Sequence, residues 1–387
     1  MATTSDLHYD FRDIFKAPRI ALSGKNLLAQ ARTLVFGYAA YLILTYIAML
    51  IEGNDLSVIW ANYFLFPFTN LGLSHWYTKL IWFIGIAGAA AFYDYGNLTV
   101  AKLALEELKG NLFFPLKTAF AEARANLRPF WVAALLLVIL IVVLSLLQGV
   151  IGLVELIPVV GPVLYAILYV VPFFLWSLFI VFIAFGLATA ILTLPAIVTA
   201  RSQDAFGATF YIYNIIWTQP FRWLAGTIIG LALAKVGVWI LGYFFMRALQ
   251  LTNVIAAIFS GEKASNIILP AYSALDPVGR VINFFTTLYP GSHLGYTFGA
   301  QLSPTIAFAS LSGGEYLGSL IIAIGLIVVW LVIVSYGINI VTCSQLITFI
   351  LVRYHEDGER LADRLATERD DPHELKPRSA PPSGTKP

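Results

Sequence analysis

The chain has 387 residues, 59% of them hydrophobic and only 12% charged, with a mean hydropathy of +0.79 and a net charge of +2. Soluble domains run nearer about 45–50% apolar and about 25% charged, so this is not an ordinary soluble domain. The small positive balance is spread over several loops and makes no nucleic-acid-binding stripe, and one cysteine, Cys343, excludes an internal disulfide framework and every thiolate metal cluster.

The apolar residues are concentrated. From Arg128 to Arg201 the only charge is Glu155, and from Tyr316 to Val352 there is none. Runs of that length predict an all-α, polytopic membrane helical bundle. Six transmembrane helices account for them, over roughly 33–52, 76–97, 130–149, 173–199, 222–246 and 317–351. Residues 1–352 then form the membrane domain and 353–387 a charged tail. Nineteen of the 24 Lys and Arg residues fall at one side: in 1–32, in the 97–129 and 200–222 connections, and from Arg353 onward. Lys79, Arg247, Lys263 and Arg280 fall at the other, and Lys235 lies within a span. The positive-inside rule therefore places both termini in the cytoplasm. Residues 1–32 are polar and of mixed charge, with no short apolar core before a cleavage site, so no removable signal peptide is expected.

In chain order, an amphipathic stretch over 9–32 leads to the first span. The connection after it is crowded with Trp60, Tyr63, Phe64, Phe66, Phe68, Trp76 and Tyr77, rings that favour the headgroup level. The second span carries Gly85 and Ala89, a close-approach pair, and Asp94 near its inner end. Stretches over 98–128 and 202–218 precede the third and fifth spans. The junctions Leu127-Arg128-Pro129-Phe130-Trp131 and Gln219-Pro220-Phe221-Arg222-Trp223 look alike, each with a proline where a helix can start, about 91 residues apart. They read either as an internal repeat of helix hairpins or as two uses of one membrane-entry device.

Between Glu155 and Arg201 lie 45 uncharged residues, about 68 Å as one helix against a hydrocarbon core of about 30 Å. Pro158, Gly161, Pro162 and Pro172 punctuate its first third. Residues 150–171 therefore read as a broken or re-entrant element, or as an interfacial helix. The fifth span has Gly226, Gly230 and Ala234 at four-residue spacing, a stripe that lets another helix approach closely. It also has Lys235, thirteen residues after Arg222 and twelve before Arg247. An ammonium at mid-membrane costs about 3 kcal/mol and requires a partner or water, and Asp94 is the first candidate, Glu155 the second. Residues 247–315 read as an outer cap. The sixth span is over-long and places Ser335, Asn339 and Thr342 on one face, with Gln345 further round, as a polar seam. Beyond it, 356–369 reads as a short solvated helix and the proline-rich remainder as disordered.

No zinc-protease, dinucleotide, P-loop or nucleophile-elbow motif is present, and no paired carboxylates lie within a span, so an enzyme is not expected and neither a metal nor another cofactor is implied. The stretch Leu194-Pro195-Ala196-Ile197-Val198-Thr199-Ala200-Arg201, followed by Asp204-Ala205-Phe206 and Gln219-Pro220-Phe221-Arg222, resembles uncharacterised bacterial six-helix membrane proteins. These are loosely similar to the membrane domain attached to some glycerophosphodiester phosphodiesterases. The element Ile157-Pro158-Val159-Val160-Gly161-Pro162 is similar to a motif of sulfate-permease-like proteins. The resemblance covers roughly 150–225; no phosphodiesterase domain accompanies it, so it implies a bacterial inner-membrane bundle and no activity. Two functions remain as expectations. One is an accessory or assembly subunit of a larger membrane complex, contacting lipids and other membrane subunits. The other is a channel or transporter for a small anion.

Overall fold

The computed structural model describes residues 7–363, apart from Phe64, 68–70, 202–204, Gly261, 274–310 and Glu359. Every regular element among them is helical: α1 (Ala17–Ala21), α2 (Gly24–Ile51), α3 (Leu56–Tyr63), α4 (Trp76–Leu108), α5 (Leu116–Gly152), α6 (Gly161–Leu168), α7 (Phe174–Arg201), α8 (Ala205–Thr218), α9 (Pro220–Ser260), α10 (Glu262–Ser273) and α11 (Gly313–Asp357). The long runs are helical because a chain of apolar residues with few interior breakers must satisfy its own backbone in lipid. Their ends carry local stop and start signals. Ser23 accepts the Asn26 N–H at the start of α2, and Ser312 with Glu315 forms a capping box at the start of α11. Gly358, at φ 69°, closes α11 in the left-handed region.

Five helical runs are long and apolar enough to cross a membrane: Gly24–Ile51, Leu116–Leu156, Gly161–Ala200, Pro220–Ser260 and Gly313–Asp357. The sixth expected span falls in α4. That helix has 33 residues, but Lys79, Asp94 and Asn97 dilute its apolar stretch. It nevertheless runs antiparallel along α2, because Gly85 meets Tyr41 and Leu44, Gly37 meets Ala89 and Phe92, and Gly96 meets Gln30 and Thr33. Two further antiparallel pairs follow. In α5/α7, Gln148 bonds Ser177 and the Trp176 indole N–H donates to the Leu144 carbonyl at 3.0 Å. In α9/α11, Thr227 meets Gln345, and Val238 meets Gly337. The first and last described residues consequently lie at one end of the bundle, where the rings of Tyr9 and Tyr354 are 4.4 Å apart.

Several expected boundaries move. Pro220 does begin α9, whereas Pro129 lies inside α5, so only the carbonyl of Ala125 is deprived of its usual N–H. The start of the expected cap, 247–260, is a continuation of α9, since no Gly or Pro interrupts it there; most of the remaining cap lies outside the described residues. Glu356 and Asp357 belong to α11, which Gly358 ends, and a 3-10 turn, Leu361–Asp363, follows; the rest of the expected tail helix lies outside the described residues.

Residues 150–171 form the tip of the α5/α7 hairpin. A 3-10 turn (Leu153–Leu156) leads into a tight reversal, and α6 then joins α7 through a π-helical turn, Tyr169–Phe173, that contains Pro172. Val159 has φ 66°, and the Val160 N–H donates to the Pro158 carbonyl at 2.8 Å, a γ-turn that is strained for a β-branched residue. A Cβ on Gly161 would lie 2.6 Å from the carbonyl oxygens of Val154 and Glu155, so only glycine admits so close a reversal.

Candidate functional site

Among the described residues the most enclosed part is the C-terminal end of α11. Every residue from Thr342 to Arg353 is buried, because α1, α2, α4, α7 and α9 all pack around it. A helix covered on all sides cannot put its polar residues into water, so each needs a partner inside the bundle. The Asn339 amide donates to the Ala21 carbonyl at 3.5 Å, Thr342 donates to Asn97 Oδ1 at 3.3 Å, and the Gln345 amide donates to Thr227 Oγ1 at 3.0 Å. The expected seam of Ser335, Asn339 and Thr342 is thus buried; Asn339 ties α11 to the N-terminal segment and Thr342 ties it to α4, while Gln345 joins it to α9.

The glycine stripe of α9 faces this seam. A Cβ on Gly226 would overlap the Thr348 side chain, and one on Gly230 would lie 2.8 Å from Ser344 Cβ. Ala234 is buried on the same face, and Gly237 and Gly337 continue the interlock against Ile340 and Val238. Small residues here let two helices touch closely enough for short hydroxyl side chains to fill the groove. Gly85 and Ala89 play the same part between α4 and α2.

Lys235 follows Ala234 and therefore sits about 100° round α9 from the α11 seam. It is half-buried, beside the exposed Ile228 and Leu231. Asp94 is half-buried on α4, and no ion pair joins it to Lys235. The two residues stand on different helices, each of which packs against α11. Glu155 lies in the hairpin tip, far along the chain from either.

Four polar arrangements escape a reading of the spans alone. Asn26, Gln30 and Thr33 line the buried face of α2 at helical spacing, a periodicity that was available in the sequence. Arg353 is 4% exposed, bonded to Glu356 Oε2 at 3.1 Å and to Asp357, with its guanidinium 4.9 Å from the Tyr211 ring centroid. On the same end, Lys102 lies 3.1 Å from Glu106 and 2.8 Å from Glu122. Burial alone would lower the Lys102 pKa, but the hydrogen bond and charges of the two glutamates outweigh it and hold the ammonium above its ordinary value. At the opposite end Glu52 clasps the α2/α4 hairpin, accepting from the Ser74 N–H at 3.0 Å, the Ser74 hydroxyl and Thr78 Oγ1 at 2.7 Å, with His75 Nδ1 at 2.9 Å.

These arrangements fix register and close the bundle. Among the described residues no group of three His, Cys, Asp or Glu side chains could hold a metal ion, and Cys343 is buried. Several buried oxygens lack a hydrogen-bond partner, namely Ser335 Oγ, Asn339 Oδ1, Gln345 Oε1 and Thr348 Oγ1, together with both ends of the Gln30 amide. No protein family, characterised protein or solved structure matches this chain, so what it does has to be argued from its own residues.

Proposed function

We propose that the chain is a non-catalytic, multi-pass subunit that assembles with other membrane proteins in the bacterial inner membrane, with both termini cytoplasmic. The observation that carries this reading is the tip of the α5/α7 hairpin. From Arg128 to Leu156 the hairpin climbs 28 residues, about 42 Å, past a hydrocarbon core of about 30 Å. The tip it carries there is apolar and uncovered: Leu156 is 77% exposed, Val159 89%, and Ile157, Val160 and Val163 are exposed as well. Exposed apolar patches of this kind mark interaction surfaces. The interlocked α9/α11 seam supports the same reading, since its groove is filled by side chains of this chain.

Purification in a mild detergent tests it. A stoichiometric partner is expected to co-purify and to be lost from a Leu156→Ser/Val159→Ser variant whose own thermal stability is unchanged. A monodisperse single-chain particle that moves a solute in liposomes overturns it. A second reading, an anion channel or transporter, draws on Lys235 within an apolar helix and on the unpartnered oxygens beside α11. It requires chloride flux that Lys235→Met abolishes in a folded protein.

A further inference from the structure

A cleft of about 710 Å³ opens between α2, α4 and α5 towards the end of the bundle that holds Tyr9 and Tyr354. Its walls are aromatic, from Phe36, Phe92, Tyr95 and Phe120, and its two charges are Arg32 and Lys117; none of its lining residues is acidic. Arg32 is the last cation before nineteen uncharged residues of α2 and so stands where that helix enters the apolar layer, and Lys117, the second residue of α5, lines the same cleft. Neither has a carboxylate partner among the described residues. The Arg32 guanidinium instead lies 5.8 Å from the Phe36 ring centroid and 5.4 Å from that of Phe120. Rings against its faces leave the in-plane N–H groups available for a planar or tetrahedral anion.

The rest of the cleft is apolar. Phe36 stacks on Phe92 with centroids 6.2 Å apart, and the exposed Val35 and Ile43 continue the apolar surface along α2 towards the bundle's middle. Two unneutralised cations at an aromatic groove that runs into the apolar layer match one ligand class. That ligand has a phosphate at one end and a hydrocarbon chain at the other.

We propose that this cleft binds an anionic phospholipid, its phosphate between Arg32 and Lys117 and an acyl chain against Phe36 and Phe92. Arg32 and Lys117 set the charge requirement, and the rings distinguish an amphiphile from free phosphate. The proposal is independent of whether the chain is an accessory subunit.

The test uses the full chain, delipidated in dodecyl maltoside, with thermal unfolding followed during titration of dioleoyl phosphatidylglycerol, dioleoyl phosphatidylcholine or sodium phosphate. A saturable rise in Tm is expected with phosphatidylglycerol alone. Lys117→Glu alters an exposed side chain and leaves the fold intact, and it should raise the titration midpoint at least about fivefold, the worth of one basic residue at an anionic surface. Arg32→Gln should do the same, and Arg222→Gln, an exposed cation at the same end but outside the cleft, should not. An unchanged midpoint in Lys117→Glu overturns the proposal. So does an equal response to phosphatidylcholine or to phosphate, or an equal loss in Arg222→Gln.

Discussion

The α9/α11 and α5/α7 hairpins have the same antiparallel plan and opposite finishes. In α9/α11 glycines on one helix receive hydroxyl side chains from the other, and the α11 end is buried on every side. In α5, beyond Leu137, no residue is buried, and its long apolar side chains stand outward as far as the tip. One hairpin finds its partner within the chain. The other offers a surface that lipid or another protein must complete. Hydrophobicity alone does not separate the two, since both are apolar enough to span; the sizes of the side chains at the contact do.

The same substitution in each hairpin should expose the difference most strongly. Gly230→Leu drives a side chain against Ser344 Cβ, which cannot swing away, and should cost about 3 kcal/mol in thermal unfolding in detergent. Gly149→Leu, on α5, meets nothing within 4 Å and should change stability by no more than about 0.5 kcal/mol. Equal losses would erase the contrast. Arg353→Met tests the closed end in a second way. It takes the guanidinium from the largely buried Glu356 carboxylate and should also cost about 3 kcal/mol, and a smaller loss would mean that water already reaches that end.

Asp94 and Lys235 sharpen where the closed region stops. Because no ion pair joins them, the costs of Asp94→Asn and Lys235→Met should add to within about 0.5 kcal/mol in the double variant. A coupling well above that would bring the two residues together and extend the polar core across α11. The smallest effect belongs to the Glu52 clasp. Hydrogen bonds from Ser74 first, then Thr78, hold the carboxyl down to about 2, below its unfolded value. A depressed carboxylate contributes stability above its unfolded pKa and loses it as pH falls through the folded one. The Tm advantage of the native chain over Glu52→Gln should thus be present at neutral pH and vanish between about pH 4.3 and pH 2. An advantage that persists at pH 2 would show that the carboxylate is not what the clasp uses.

Much of this contrast was legible in the chain itself. Uncharged runs announced the long helices, four-residue spacing announced the Gly226–Gly230–Ala234 face, and helical spacing placed Ser335, Asn339 and Thr342 together. What periodicity does not carry is the identity of the opposite surface. That Ser344 and Thr348 fill the α9 glycines is a long-range fact, and so is the burial of Arg353, which local charge patterning presents as the first residue of a solvated tail. Pro129 failed for a related reason, because a proline reads as a helix start only when the preceding segment is free to stop, and α5 is already helical from Leu116. Lys235 was assigned Asp94 from depth alone. Depth sets the level of a residue along the bundle and says nothing of its azimuth.

Cys343, the single thiol, sits near the start of the enclosed stretch of α11 and is fully buried. The native chain is therefore its own cysteine-silent background for site-directed labelling. A cysteine introduced at Lys25 or at Lys263, at opposite ends of the bundle, would be the only accessible thiol of the chain, and which of the two an impermeant maleimide labels in intact cells would report sidedness without any prior removal of native thiols. The buried thiol then serves a second purpose. Its own alkylation becomes possible only when the helices around α11 separate, so the rate at which Cys343 is trapped, measured against temperature, is a clock for opening of the bundle core.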